Sequence, residues 1–287
     1  MTTVSDETQA GPASAAETWL KQHSGELPKF NPAFASLIAK LDWEAGDVHE
    51  LERVIATDPG SVVCLLRVAN SPFFGLSKRV DSIRHALTVL GMSSVRSIVM
   101  RGYLIDTFGL QLDDQLAGDL VTHSIVTGLA ARELAGVLKA PEDVAFVAGM
   151  LHGVGKLMLL VYARELIERI YQDGATATDY TADETGVLGF DHIELGVLTL
   201  KLWHMPDNII EAVRDYQDIG RCDTPLKQTL FAAYQLARYL ECLRRQNREE
   251  AEILGQQLVE RIGEKRFGGV VKRVNAEATA MFALSAG

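Results

Sequence analysis

Closely spaced helix start and stop signals are the sequence feature that most restricts the fold of this chain. Asp58 and Pro59 supply an N-cap followed by a residue suited to the first helical turn. Gly91 and Gly109 follow apolar segments and act as stop signals. Between such signals the apolar residues recur every three or four positions, and alternating strand patterns are lacking. The sequence therefore predicts an all-α protein.

The same criteria predict where the individual helices lie. Capping signals predict a helix near residues 47–56, one that begins at Pro59, and two more over 83–90 and 95–108. Further along, six segments have helical spacing: 119–138, 142–152, 156–171, 192–203, 207–216 and 225–243. Residues 173–190 are polar and contain three glycines, which predicts a long loop. Residues 249–284 favour two helices, with an extended segment allowed at 268–271.

Composition shifts suggest four parts. Residues 1–26 contain few large apolar side chains and are expected to form a flexible N-terminal tail, in which Trp19 and Leu20 alone suggest local docking. Residues 27–115 and 116–245 are predicted to form two packed helical subdomains, with a polar hinge near 111–118 between them. Residues 246–287 are predicted to be a C-terminal helical extension.

Charge and cysteine content narrow the possible partners and the compartment. The chain has 28 basic and 38 acidic residues, and its formal net charge of −10 disfavours nucleic-acid binding. The three cysteines form no C-x-x-C pair, which is typical of reduced thiols in a cytoplasmic protein. No uninterrupted apolar stretch approaches the roughly 18 residues that a membrane helix requires. We therefore expect a cytoplasmic protein without a membrane partner.

Three histidines are the candidate site residues. His123 lies inside a predicted helix, His152 lies in the segment GMLHGVGK, and His192 lies in GFDHIELG. Imidazoles presented from separate helices can converge on one metal ion. The alternative for each of them is a hydrogen-bonded core residue.

The pattern of these histidines resembles the HD metallophosphohydrolase superfamily. Residues 65–75 (LLRVANSPFFG) and 83–91 (IRHALTVLG) further resemble the signature of the HDOD family, the HD-related output domains of bacterial signalling. The resemblance extends over about residues 27–245. It implies an all-α fold with a family-specific N-terminal helical subdomain packed on an HD-like one, and a regulatory role of the response-regulator output type.

The chain departs from the enzymes of that superfamily at the positions expected to hold metal. Gly153 follows the second histidine where the enzymes have aspartate, and Tyr216-Gln217 stands where related phosphodiesterases have two histidines. The late helix, which should present the last aspartate, reads AYQLA over residues 233–237 and has no carboxylate there. A two-metal centre requires bridging anionic ligands, which three neutral imidazoles do not supply. We therefore expect a degenerate metal site whose remnant ligands are His123, His152 and His192, with no cofactor or at most one divalent ion.

These observations favour a non-catalytic signal-transduction module that acts through contacts with a signalling protein. No catalytic or cofactor-binding residue is assigned. The alternative is a metal-dependent phosphohydrolase or phosphodiesterase, acting on a nucleotide or cyclic dinucleotide, with Glu194 or Asp191 as replacement ligand. A third alternative is a sensor that binds a nucleotide or anion near Lys156, Arg132 or Arg164. The sequence does not define an oligomeric state.

Overall fold

The computed structural model describes residues 14–25, 27–28, 52, 55–56, 59–70, 79–111, 114–171 and 179–282. This described part contains thirteen α-helices and one 3-10 turn but no β-strand, which confirms the all-α prediction. The helices are α1 Ala15–Gln22, α2 Pro59–Ala69, α3 Ile83–Phe108, α4 Gln115–Leu138, α5 Glu142–Leu151, α6 Val154–Tyr162, α7 Arg164–Ile170, α8 Thr181–Leu188, α9 His192–Leu202, α10 Asp207–Asp215, α11 Pro225–Arg244, α12 Arg248–Ile262 and α13 Glu264–Phe282. Most of the predicted helix near 47–56 lies outside the described residues.

The N-terminal segment contains an ordered helix, so the prediction of a flexible tail over residues 1–26 is wrong for 15–22. Helix α1 begins with a capping box in which Ser14 accepts a hydrogen bond from the backbone of Glu17, and Glu17 accepts one from the backbone of Ser14. The Trp19 ring lies 6.0 Å from both the Tyr162 and Phe190 rings. Burial of these rings is favourable and offsets the conformational entropy that the segment loses when it forms a helix. Its polar side chains alone would not offset this loss.

Two glycines of α3 interrupt or end the helix where the sequence predicts. Gly109 ends α3 in the left-handed conformation (φ 59°), as predicted. Gly91 has a positive φ (77°) and a non-helical backbone, and helical geometry resumes after it. The predicted stop at Gly91 is therefore confirmed as a kink that divides α3 into two helical segments, because glycine tolerates a backbone conformation that ends the first segment.

A segment predicted to be a loop, and one for which an extended conformation was allowed, are helical where they are described. Residues 181–188, in the predicted loop 173–190, form α8, whose Glu184 is completely buried against neighbouring side chains. Gly268 and Gly269 lie inside α13, because Val270 and Val274 place an apolar stripe of this helix in the core. Tertiary packing thus overrides the weak local helix propensity in both segments.

Smaller differences concern helix boundaries. The predicted helix 156–171 is divided by Ala163 into α6 and α7. Helix α4 begins at Gln115, inside the predicted hinge, because the Asp114 side chain accepts hydrogen bonds from the backbone N–H groups of Leu116 and Ala117.

Helix α4 is the central helix of the described fold. It packs most extensively against α5 and α11, and α13 covers a further face. Side-chain pairs between Arg132 and Glu277 and between Arg273 and Glu133 join α13 to α4. One cluster of buried apolar side chains extends from Ala16 to Met281, so the described helices share a hydrophobic core. The boundary predicted at 115/116 stays a prediction.

One segment is apolar and long enough to cross a membrane by length and composition. It covers Glu142–Tyr162, which comprises α5 and α6, and 89% of its most apolar window is buried within the protein. Core helices of globular proteins meet the same criterion. The burial of this segment gives no indication of a lipid-facing surface.

Helices α6 and α9 approach each other so closely that only glycine fits at the contact. A Cβ atom added at Gly155 would lie 1.8 Å from the backbone oxygen of His192 and 2.8 Å from the backbone nitrogen of Gly196. Since backbone atoms cannot move aside as a flexible side chain can, this crossing requires a residue without a side chain. The same crossing fixes the position of His192.

We predict that Gly155→Ala lowers the free energy of unfolding by about 2–4 kcal/mol, because the methyl group must push α6 and α9 apart. Urea unfolding followed by circular dichroism measures the effect. Gly186→Ala in α8 is the matched control, since a Cβ there meets nothing within 4 Å. The control should be neutral or stabilising by up to about 1 kcal/mol. Equal stability of both variants would contradict the assigned role of the α6–α9 contact.

Candidate functional site

The three predicted site histidines lie together in the core. His123 comes from the middle of α4, His152 follows α5, and His192 is the first residue of α9. Their exposed fractions are 4%, 1% and 0%. The His123 and His152 ring centroids are 5.1 Å apart, and His152 lies 5.1 Å from the ring of Tyr216. We call His123, His152, His192, Tyr216 and Tyr234 the histidine–tyrosine cluster.

Both ring nitrogens of His192 have protein partners. Its Nδ1 lies 2.7 Å from a carboxylate oxygen of Glu184, which also accepts the backbone N–H of His192 at 2.7 Å. Its Nε2 lies 2.9 Å from the hydroxyl of Tyr216. Because the carboxylate can only accept, Nδ1 is assigned as the N–H donor, and Nε2 accepts from the Tyr216 hydroxyl.

The carboxylate of Glu184 is held by more than His192. Tyr171 donates its hydroxyl to the other carboxylate oxygen at 2.5 Å. Burial raises the pKa of Glu184, but attraction to His192 and hydrogen bonds from His192 and Tyr171 outweigh burial, and the pKa is lowered overall. The carboxylate is therefore ionised and fully hydrogen-bonded inside the core.

The other two histidines are kept neutral. Burial is the main cause that lowers the pKa of His152 to about 3, despite a hydrogen bond of 2.6 Å from its Nδ1 to the backbone oxygen of Gly149. Burial also lowers the pKa of His123 well below its ordinary value, followed by repulsion from His152 and Lys156. The Nε2 of His123 is buried without a hydrogen-bond partner, and its Nδ1 lies 3.8 Å from a carboxylate oxygen of Glu241.

Two tyrosines occupy the space between the histidines. The Tyr216 and Tyr234 rings meet edge to face with centroids 4.8 Å apart, and the Tyr234 ring lies 5.7 Å from His123 and 5.9 Å from His152. The side-chain amide of Gln217 donates to both hydroxyls, at 3.0 Å and 3.3 Å. Burial raises the pKa of Tyr216 well above its usual value, so its hydroxyl stays protonated.

A buried lysine adds positive charge to the cluster. Lys156 is 2% exposed and its Nζ lies 5.5 Å from the centroid of the Tyr171 ring. Burial lowers the pKa of Lys156 to about 8, and the carboxylates of Glu184 and Glu241 oppose this effect. At pH 7 the lysine is therefore mainly charged. Its field lowers the pKa of both His123 and His152 and would also repel a divalent cation.

The predicted three-histidine metal site does not fit this arrangement. His123, His152 and His192 do gather in one place, but the Nε2 of His192 is bonded to a phenol that stays protonated. Among the described residues, no group of three or more histidine, cysteine or acidic side chains is arranged to hold a metal ion. The physical reason is Tyr216, whose side chain lies against His152 and His192.

One of the two replacement ligands named from the sequence, Asp191, has another role. Asp191 caps α9 by accepting a hydrogen bond of 2.8 Å from the backbone of Glu194. The carboxylates nearest the histidines are instead Glu184 and Glu241, which sequence reasoning missed. Glu184 belonged to a predicted loop, and Glu241 lies near the end of α11, which contains several other polar and charged residues, so the sequence offered no signal that singled it out.

Two of the three cations proposed as anion contacts are paired with acidic side chains. Arg132 pairs with Glu277, and Arg164 pairs with Asp114 and Glu168. These acidic partners neutralise much of the positive charge that would otherwise attract an anion.

The family assignment follows from the sequence of the helical core. The family model of the HDOD domain matches residues 27–219. The chain belongs to the HDOD family. The match includes all three histidines and Tyr216, whereas all of α11, α12 and α13 follow it along the chain.

Known relatives of this HDOD protein are distant in sequence but similar in fold. An uncharacterized protein of Treponema pallidum (strain Nichols) is 24% identical over 205 residues, which cover 68% of this chain and 39% of the relative. The chain thus spans well under half the length of that curated relative.

Three solved structures show the same fold. The first is an HDOD domain protein of unknown function from Geobacter sulfurreducens (TM-score 0.70, 20% identity, 94% of this chain and 97% of that chain). The second is a Marinobacter aquaeolei VT8 protein whose name suggests signal transduction (0.66, 21%, 93% and 61%). The third is a Shewanella amazonensis SB2B protein whose name suggests a phosphohydrolase (0.65, 24%, 96% and 100%). At these identities the likeness establishes the fold alone.

We predict that Tyr216→Phe lowers the free energy of unfolding by about 1–3 kcal/mol, because the buried Nε2 of His192 loses its donor. Chemical denaturation at pH 7.5 measures the loss. The control is Tyr239→Phe, since the half-buried Tyr239 makes no hydrogen bond through its hydroxyl to the described residues. The control should change stability by less than about 0.5 kcal/mol. A Tyr216→Phe protein as stable as the control would contradict the hydrogen-bond assignment.

Acidification should destabilise the protein through the buried histidines. The pKa of His152 falls from 6.5 in the unfolded chain to about 3 in the folded protein. Below pH 6.5 the unfolded state therefore binds a proton that the folded state does not, and stability is lost as the pH falls. Between pH 7.5 and pH 5 this costs about 2 kcal/mol for His152 alone.

A variant isolates this contribution. His152→Asn keeps a donor near the position of Nδ1, close to the oxygen of Gly149, and removes the titrating ring, so its stability should fall less between pH 7.5 and pH 5 by about 2 kcal/mol. The exposed His204 provides the control variant His204→Asn, which should retain the wild-type pH dependence. Parallel curves for the wild type and His152→Asn would refute the assignment of a neutral, buried imidazole.

Proposed function

We propose that this HDOD protein is a non-catalytic module of bacterial signal transduction that acts through contacts with a signalling protein. The observation that carries the proposal is the hydrogen bond between Tyr216 and the Nε2 of His192. It places a protonated phenol where a metal-binding imidazole would need a free nitrogen. The site that supports hydrolysis in the wider superfamily is, in this proposal, a packed core.

The charges of the cluster agree with a structural role. A hydrolytic two-metal centre needs anionic groups that bridge the ions and help to ionise an attacking water. Here Glu184 is used by His192 and Tyr171, and Glu241 accepts a hydrogen bond from Arg245 at 2.9 Å. The charged Lys156 also interacts electrostatically with both carboxylates. Each carboxylate that reaches the histidines is therefore committed to a protein partner.

The signalling context rests on family membership and on relatives. HDOD domains are similar to the output domains of bacterial signalling, and this chain matches the HDOD family model. Its fold is shared with the M. aquaeolei protein, whose name suggests signal transduction. The signalling partner is expected to bind the surface of the helical domain, without a metal or other cofactor at the histidines. With net charge −10 and buried, free Cys222 and Cys242, we further propose that it works in the cytoplasm without nucleic acid.

A second candidate function, metal-dependent phosphohydrolysis, is favoured by one observation. In many metal sites each histidine ligand uses one nitrogen for the metal and donates the other to a carboxylate or a backbone carbonyl. His192 and His152 make such bonds through Nδ1, to Glu184 and Gly149 respectively. In this alternative Tyr216 moves away from the histidines to admit the ion, and the name of the S. amazonensis protein points the same way.

The two candidates differ in metal content and turnover. For protein purified without a histidine tag, we expect elemental analysis to find far less than one equivalent of manganese, iron or zinc per chain. We also expect no hydrolysis of bis-p-nitrophenyl phosphate or of cyclic dinucleotides above a protein-free blank with added Mg²⁺, Mn²⁺ or Zn²⁺. Both results follow if Tyr216 keeps the cluster closed.

His152→Asn and His204→Asn serve as the matched pair in the same assays. About one bound metal ion per chain, together with turnover that disappears in His152→Asn but persists in His204→Asn, would overturn the non-catalytic proposal. Trace turnover that is equal in the wild type and both variants indicates a contaminant and leaves the histidines without a catalytic role.

A further inference from the structure

A separate cleft lies at the junction of α11 and α12, beside the histidine–tyrosine cluster. It has a volume of about 640 Å³ and mixes amide, apolar and charged side chains. Its main lining residues are Gln217, Phe231, Gln235, Gln257, Leu258 and Arg261. We call it the amide cleft. Small-molecule sites usually have volumes of about 300–1,000 Å³, so its size admits a metabolite.

Two glutamines leave acceptors without partners in this cleft. The Oε1 atom of Gln235 is buried and has no hydrogen-bond partner in the described structure. Gln217 uses its Nε2 to donate to two tyrosine hydroxyls, and no described group donates to its Oε1. A buried acceptor without a donor is unfavourable, so the cleft favours a molecule that carries N–H groups.

One side of the cleft combines an aromatic ring with a positively charged side chain. The guanidinium of Arg261 lies over the Phe231 ring, 5.0 Å from its centroid. Gln257 and Arg261 are four residues apart on α12, so both side chains lie on the face that lines the cleft. An aromatic ring, a planar guanidinium and planar amides together suit a planar heterocycle, which can stack and form in-plane hydrogen bonds at its edge.

We propose that the amide cleft binds a planar nitrogen heterocycle with an exocyclic amino group, an aminopurine of the adenine or guanine type. The Oε1 of Gln235 is buried in the free protein, so this side chain would turn toward the cleft to accept a hydrogen bond from the amino group. Side-chain amides are well suited to pair with a purine edge through two hydrogen bonds. Stacking near Phe231 and Arg261 would hold the ring.

The charges around the cleft indicate that it recognises mainly the base of the ligand and not its phosphate groups. Glu260 also lines the cleft, beside Arg261, and the whole chain carries a net charge of −10. Arg261 can pair with one phosphate, but a larger anionic group would meet this acidic surrounding. Nucleosides and nucleoside monophosphates therefore share the chemistry that the cleft selects. This site is distinct from the histidines, and the proposal does not depend on whether they hold a metal.

Isothermal titration calorimetry with adenosine, guanosine, AMP and GMP tests the proposal on the full chain. We expect saturable binding of at least one of them, weakened about tenfold or more in Gln235→Leu, because the leucine removes the acceptor. Gln256→Leu, on the same helix as Gln257 but outside the cleft lining, should bind as the wild type does. Circular dichroism confirms that the variants are folded.

Arg261→Gln distinguishes a nucleoside from a nucleoside monophosphate as the ligand. It also serves as a second variant if Gln235→Leu does not fold. Tighter binding of a monophosphate than of its nucleoside, with the difference lost in Arg261→Gln, supports a nucleotide ligand. Equal binding of both supports recognition of the base alone, with Arg261→Gln weakening both through lost stacking. Absence of binding by all four compounds at millimolar concentration, or binding unchanged in both Gln235→Leu and Arg261→Gln, overturns the proposal.

Discussion

The centre of this molecule depends on the hydrogen bonds that the buried carboxylate of Glu184 accepts. An ionised carboxylate inside a protein is costly unless charged or hydrogen-bonding partners surround it. Glu184 meets this condition through Tyr171, the backbone of His192 and the ring of His192. It thereby joins α8 to the start of α9 and to the end of α7. From His192 the bonds continue to Tyr216 and Gln217.

This chain of bonds also determines what lies between the histidines. Three helices bring the histidines to one place, and the glycine contact between α6 and α9 sets their spacing. What occupies the space between them depends on the side chains of α10, α11 and the turn that joins them. In this protein those side chains are phenols, which pack edge to face and share one amide donor. These rings pack against His123 and His152, while the Nε2 of His123 has no hydrogen-bond partner among the described residues.

Most of the fold and part of the site could be predicted from the sequence. Caps such as Asp58-Pro59 and stops such as Gly109 are local, and they predict helix positions well. The three histidines were also recognised, because their helical setting and family resemblance are local features. Glu184 was missed because its helix is stabilised by tertiary bonds rather than by its own sequence. The contact of Tyr216 with His192 could not be predicted either, since it depends on the mutual placement of α9 and α10.

The packing of α13 on α4 has a consequence for how the protein is made. Helix α4 carries His123 and forms the middle of the core, yet one of its faces is covered by Val270 and Val274 and by the pairing of Arg273 with Glu133. A ribosome therefore releases the central helix long before it releases the helix that covers it. Until then the nascent chain exposes an apolar face, the kind of surface that molecular chaperones bind. Completion of this domain accordingly waits until α13 has been synthesised.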